Sequence, residues 1–415
     1  MPHPSLSAGR AGGTRRPFAL RCCVLLLAAL WGGGLPGFGQ RAGQLATAPA
    51  PAASPAAPSP TPRAAPGRTT AQFAKGFTIA YAGNYKVVTI RSPFEQKTTA
   101  TRYLLLPRGA TRPAGFADAQ VINTPIRSLV GLSSMHVALA DFLGAADVLV
   151  GVGDFKYASA PRVRQRIAAG QVFEAGQGKA LNNELLIARH PDLVMTTGWP
   201  GEGLTRFQTL NAAGVPVMIN SEWVETTPLA RAEWVKVLAA LLNQEDLVNQ
   251  KFGRVAREYQ RLRALARKAA HRPSVVVGLP FKDVWYVPDA DGYLAQFLRD
   301  AGATYHWDRT RAPSGSLALS FETVAPVALV ADYWLHTGSV DSKAALLAQD
   351  GRYAAFAPYQ TGRVFNNNRR TNAQGANDYW ESGAVRPDLV LADLIRILHP
   401  ELLPRGSLTY YQQLK

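Results

Sequence analysis

Cysteine is almost absent: the 415 residues contain only Cys22 and Cys23, side by side near the start. The folded part therefore has no disulfide framework and no thiolate metal centre, which is compatible with an oxidising compartment. Phosphate-cradling glycine loops are missing as well. No Gly-x-x-x-x-Gly-Lys-Ser/Thr occurs, and Gly151 with Gly153 lacks the third glycine of a dinucleotide fingerprint. No serine sits in a Gly-x-Ser-x-Gly elbow. The seven histidines (His3, His136, His190, His271, His306, His336 and His399) stand at least 30 residues apart, so none shows zinc-ligand spacing. These absences remove the commonest signatures of enzymes and favour a binding role.

Acidic residues are absent from residues 1–75, which carry Arg10, Arg15, Arg16, Arg21, Arg41, Arg63, Arg68 and Lys75. Half of the net charge of +16 lies there, leaving +8 on residues 76–415. That remainder falls largely on helical stretches such as Arg254 to Arg272, without the interleaved aromatics of a nucleic-acid surface, and reads as a solvated helix face. No nucleic-acid partner is expected.

Residues 1–39 have the layout of a secretory signal peptide. Arg15, Arg16 and Arg21 precede the apolar run Cys22 to Trp31, which is too short to span a bilayer, and Gly37 and Gly39 flank Phe38. Cleavage after Gly39 leaves Gln40 first. Thr14 to Phe18 offers a twin-arginine alternative to the general export route. A lipoprotein signal needs a cysteine after the apolar run, and both cysteines come at its start. Residues 40–75 collapse to Ala, Pro, Thr and Ser and read as a disordered tether. Residues 76–126 form a β extension with alternating segments at Tyr85 to Ile90 and Thr101 to Leu106.

After Arg127 the pattern becomes strand, helix, strand, helix. Strands are expected at Ser128 to Leu132, Val148 to Val152, Asp192 to Thr196 and Val215 to Ile219, with helices at Met135 to Leu143 and Glu184 to Arg189. The helical stretch Pro228 to Lys268 follows. Thr227 is its N-cap with proline at the first helical position, and Asn243 before Gln244, Glu245 and Asp246 looks like a second start, so two helices end to end are expected. Val248, Phe252, Val255, Tyr259, Leu262 and Ala266 fall on one face of the second. Alternation then resumes with strands at Ser274 to Gly278, Trp285 to Val287, Val327 to Ala331 and Val364 to Asn366, and a helix at Tyr293 to Ala301. Glu184 to Val194 and Glu322 to Val330 share the order short helix, proline, strand. Alternation of this kind implies parallel sheets. The expected fold is two Rossmann-like α/β lobes, residues 127–227 and 271–415, joined by a helical spine at 228–270, with a ligand cleft between the lobes.

Several segments together resemble the periplasmic substrate-binding proteins of ABC importers for iron complexes and vitamin B12. They are Arg127 to Val152, Ala188 to Met195, Gly214 to Val217, Asp300 to Ala303, Leu319 to Glu322 and Asp378 to Leu394. The resemblance implies an exported, periplasmic, monomeric binding protein rather than an enzyme. It would capture an iron-siderophore or related metal chelate in the interlobe cleft and deliver it to an ABC permease, meeting the membrane only through that permease, with haem or cobalamin as alternative ligands. A chelatase-type enzyme, with His136 as its one foothold, and a surface-tethered sensor are the remaining readings. No resident cofactor is implied, since the metal arrives inside the ligand.

Ligand clefts lie where strand ends and their loops converge. Those loops hold Ser133, Ser134, Met135 and His136, then Phe155, Lys156 and Tyr157, and Trp199 in the first lobe. In the second they hold Trp285, Tyr286, Tyr333, Trp334, Asn367, Arg369, Arg370, Tyr379 and Trp380. Aromatic faces suit a macrocycle or chelate and the cations its acidic oxygens, although core packing is the alternative for each aromatic and an exposed turn for the Asn-Arg run. The family docks its permease through one acid on each lobe. Glu202 falls at the matching place in the first, and Asp341, with Glu381 competing, in the second.

Overall fold

The computed structural model describes residues 67–94, 99–198, 203–312 and 315–415. Its N-terminal sheet comprises β1 (Phe77–Ala82), β2 (Tyr85–Ile90), β3 (Thr101–Pro107) and β4 (Gln120–Thr124), in that spatial order. The first two pairings are antiparallel and the last parallel.

A fully parallel sheet follows, built from β5 (Leu129–Gly131), β6 (Leu149–Val152), β7 (Phe173–Glu174), β8 (Leu193–Thr197) and β9 (Val217–Asn220) in the order β7-β6-β5-β8-β9. Every residue of β5, β8 and β9 is buried, as expected of parallel strands covered on both faces. The order reverses beside β5, where the chain runs first to one side and then to the other; in open α/β sheets ligands bind outside the carboxyl ends of the strands at such a reversal. Ser133 caps the Ser134–Leu143 helix after β5, and Gly144, at φ 76°, closes it in the left-handed conformation that favours glycine.

The second large sheet contains β10 (Ser274–Val277), β13 (Thr304–Tyr305), β15 (Tyr333–Leu335), β16 (Val364–Asn366) and β17 (Gln412–Gln413), ordered β13-β10-β15-β16-β17. Only β17 runs antiparallel. A satellite antiparallel sheet is made by β11 (Pro280–Phe281), β12 (Val284–Pro288) and β14 (Ser316–Leu319). One expected strand is absent. Val327 and Ala328 end the Phe321–Ala328 helix, which Ser320 caps, and the following strand begins at Tyr333. Exposed Leu329 and Val330 were read as strand because apolarity alone does not distinguish a helix end from a buried strand.

The spine consists of three helices, Pro228–Glu233, Val235–Leu242 and Glu245–Ala266. Thr227 caps the first as expected, whereas Asn243, at φ 55°, closes the second rather than opening the third. The six residues of the anticipated apolar face are all buried. At 1.5 Å per residue this helix is about 33 Å long, and it contacts both parallel-sheet regions. Lys251 Nζ donates to the Phe142 carbonyl at 2.8 Å, and the Tyr259 hydroxyl donates to Asp300 at 2.8 Å, beside the Tyr293–Asp300 helix.

Residues 67–75, expected to belong to a disordered tether, are instead ordered, because two buried carboxyl groups clamp this segment to the head of the spine. Glu233 accepts from the amides of Gln72, Phe73 and Ala74 at 2.6–3.0 Å and from Lys236 Nζ at 2.7 Å. Glu225 accepts from the Lys75 and Gly76 amides and from the Trp234 indole. A Cβ on Gly76 would lie 2.8 Å from the Trp234 ring, so only glycine allows this approach. Replacing Glu233 by Ala removes the buried carboxyl that accepts from the Lys236 ammonium and from the amides of residues 72–74, leaving Lys236 only the Thr70 carbonyl. Urea unfolding is expected to show a loss of about 3–5 kcal/mol, with early proteolysis between residues 67 and 76; a loss below about 1 kcal/mol would remove the clamp from the structure's supports.

Candidate functional site

The carboxyl ends of the two parallel sheets meet along a seam whose residues come from opposite halves of the chain. After β6, Asp154 caps a short turn, Phe155–Tyr157, through the Lys156 amide. The Lys156 carbonyl accepts from Asn372 Nδ2 at 2.8 Å. Next along the loop, the Ser159 and Ala160 amides donate to the two oxygens of Glu381, both at 2.7 Å. Residues more than 200 positions apart are thus held by backbone amides on a buried carboxylate. Glu381 is therefore no permease-docking acid, since it is buried in the seam.

Deeper in the seam lies a polar cluster around Arg231. This side chain, on the first spine helix, donates to the carbonyls of Glu225 and Trp223, both at 2.9 Å, and its guanidinium lies 4.2 Å from the centre of the Tyr293 ring. Tyr293 and Arg231 both interact electrostatically with Tyr379, which hydrogen-bonds Tyr411. The Tyr411 hydroxyl in turn meets His336 Nε2, and the His336 ring packs edge-on to Tyr379 at 5.5 Å. His336 has φ 59°, an unusual backbone for a non-glycine residue and one found disproportionately at functional sites. Burial pushes the Tyr293 phenol up to about 12 and holds Tyr379 and Tyr411 well above the ordinary range. It also drives His336 down to about 3, leaving a neutral imidazole. At the end of β9, Asn220 donates to Glu222, whose carboxyl burial raises to about 7 against the opposing charge of Arg231. Asn220 Oδ1 is buried with no hydrogen-bond partner among the described residues.

The arrangement offers a guanidinium for acidic oxygens, with neutral phenols and an imidazole beside it as hydrogen-bonding groups. Among the described residues, no three His, Cys, Asp or Glu side chains gather as a metal site.

Several expected cleft residues are elsewhere. Trp285 and Trp334 are fully buried, their indoles donating to the carbonyls of Val277 and Gly278. They pack with Tyr353 and Phe356 as core. Met135 and His136 face inward; His136 has no hydrogen-bond partner among the described residues, and burial lowers it to about 3. Their spacing in the helix, not their chemistry, decided this. Ser133 serves as the cap, with half-buried Ser134 behind it. Tyr333 begins β15, at the end opposite the seam, beneath Arg363. Tyr286 is half-buried on β12, paired with Ala318 in the satellite sheet.

Arg370 is engaged with buried Asp378 at 2.9 Å and lies over the Tyr410 ring. Asn367 is buried beside Asn366. Arg369 and exposed Asp341 come together, lining a polar cavity of about 490 Å³ with Ser342, Gln412 and Lys415. Half-buried Phe155 and Tyr157, exposed Lys156, and Tyr379 lie on the seam, next to Trp380, which is 56% exposed and packs against Tyr379. Trp199 and Glu202 lie outside the described residues.

Arg231, Tyr293, Tyr411, His336 and Glu222 escaped the sequence analysis. A faint signal existed for Arg231, a half-buried cation flanked by the buried stretches Pro228–Ala230 and Ala232–Leu242.

Burial raises Glu381 to about 8, opposed by its two amide bonds. The folded chain therefore retains a proton that the unfolded chain releases near 4.5, and this carboxyl's contribution to stability falls as pH rises from about 4.5 to about 8. Glu222, raised to about 7, acts with the same sign. A thermal-melting series across that window should show a shallower decline for Glu381→Gln than for the unaltered protein; coincident slopes would mean that Glu381 does not titrate in the seam.

Comparisons with known proteins accord with this architecture. A curated relative, an uncharacterised lipoprotein of Methanocaldococcus jannaschii, is 26% identical over 301 residues, covering 70% of this chain and 69% of that protein. Among solved structures, the periplasmic haem-binding protein RhuT of Roseiflexus sp. RS-1 in its apo form shares 22% identity, covers 67% of this chain and 99% of its own, and superposes with a TM-score of 0.53. Helicobacter pylori CeuE with Ni(II) bound shares 16% identity over 72% of this chain and 92% of its own, also with a TM-score of 0.53. At such identities these two structures speak to the fold. The family model for periplasmic binding proteins matches residues 129–368, more than half of the sequence and both parallel sheets, and the chain belongs to that family.

Proposed function

We propose that this protein captures an iron chelate, a ferric siderophore or a related complex, in the seam between its two parallel-sheet regions and delivers it to the permease of an ABC importer. The carrying observation is the Arg231, Tyr293, Tyr379, Tyr411 and His336 cluster, assembled from both halves of the chain. A guanidinium matches carboxylate or catecholate oxygens of the chelate, and the neutral phenols and imidazole beside it are hydrogen-bonding groups. Exposed Trp380 beside Tyr379 supplies an aromatic face at the rim. In this reading the protein catalyses no reaction, acts as an exported monomer, and receives its metal only within the ligand. Family membership supports the transport role.

Tryptophan fluorescence tests this reading, since Trp380 and Trp223 flank the cluster. Ferric siderophores, haemin and cyanocobalamin are titrated separately with inner-filter controls. Saturable quenching by an iron chelate is expected, weakened about tenfold or more by Arg231→Ala, as loss of a charged hydrogen bond implies. Binding of cyanocobalamin alone would select cobalamin. No binding below about 100 μM, roughly −5.5 kcal/mol, by any of the three would remove the iron reading.

A further inference from the structure

The Glu245–Ala266 helix buries one face and leaves the other strongly basic. Successive 100° steps place Arg254, Arg257, Arg261 and Lys268 within roughly 60° of arc, and all four are exposed. Only Arg261 is neutralised, by Glu258 at 2.7 Å; Arg254, Arg257 and Lys268 have no acidic partner within ion-pair distance among the described residues. Exposed His271 and Arg272 continue the basic run beyond the helix. Like charges three residues apart repel, so a face that met only water would gain nothing from carrying them.

We propose that this face docks on an anionic phospholipid surface. Two observations favour lipid. The face holds no aromatic side chain, unlike a surface that stacks nucleic-acid bases. No described helix is long and apolar enough to cross a membrane, so contact would be with headgroups, whose negative charge attracts each Lys or Arg near the surface. The proposal stands independently of the ligand.

Co-sedimentation of the full chain with vesicles of equal parts phosphatidylglycerol and phosphatidylcholine, against phosphatidylcholine alone, tests it. The neutral vesicles report binding that does not depend on lipid charge, and the difference reports the basic face. A preference of at least about tenfold for the anionic vesicles is expected, diminishing with salt. The triple variant Arg254→Glu, Arg257→Glu, Lys268→Glu should lose it. An equal charge change at the exposed residues Arg127→Glu, Arg309→Glu, Arg405→Glu should leave most of it. Unchanged thermal melting of both variants would establish that they fold. The proposal is overturned if the anionic vesicles are not preferred, if both triples lose the preference equally, or if the protein binds heparin but neither vesicle.

Discussion

Buried carboxylates that accept hydrogen bonds from runs of backbone amides hold this molecule's distant segments together. Glu233 and Glu225 bind the strap at residues 72–76 to the head of the spine. Glu381 binds the loop at 159–160 across the seam. Asp393 accepts from the amides of Thr409, Tyr410 and Tyr411, fixing the segment that leads into β17 onto the Pro387–Leu398 helix. A buried carboxyl group is costly unless its oxygens are satisfied, and convergent amides satisfy them, with charge-assisted bonds where the group is ionised. Each such bond therefore specifies one geometry rather than merely adding cohesion.

That specification reaches the candidate site directly. Asp393 sets the position of Tyr411, and Tyr411 orients His336; Glu225 lies at the foot of Arg231, which takes its carbonyl. The donors of the cluster are thereby held by groups that do not themselves face the seam. A ligand meeting a site already ordered loses less conformational freedom on binding than one that must organise it. Burial that keeps the tyrosines protonated and His336 neutral also leaves Arg231 as the fixed cation beside them. Attraction for an acidic chelate is thus concentrated at one point of the seam.

Much of the fold was legible because it rests on local periodicity. The apolar face of the third spine helix, the Thr227 cap, the alternation of strands and helices, and the segments resembling the binding-protein family each leave a pattern within a few residues. The strand expected at Val327 to Ala331 failed where the pattern is ambiguous, at the apolar end of a short helix. The site was far less legible. Aromatics after strands looked like ligand contacts, yet Trp285 and Trp334 are sealed in the core, while Trp380 stays exposed. Arg370 looked like a free cation and is paired with buried Asp378.

By itself, the sequence determined the class of elements, their order, the two parallel-sheet regions and the basic face of the spine, since periodicity and charge are properties of neighbouring residues. Which side chains share the seam was decided only by tertiary structure. Arg231, Tyr293, His336 and Tyr411 span 180 positions and meet because the sheets place their loops together. Glu233 and Glu381 look like surface acids in the sequence, and they become structural only when folding removes water and supplies amides in its place.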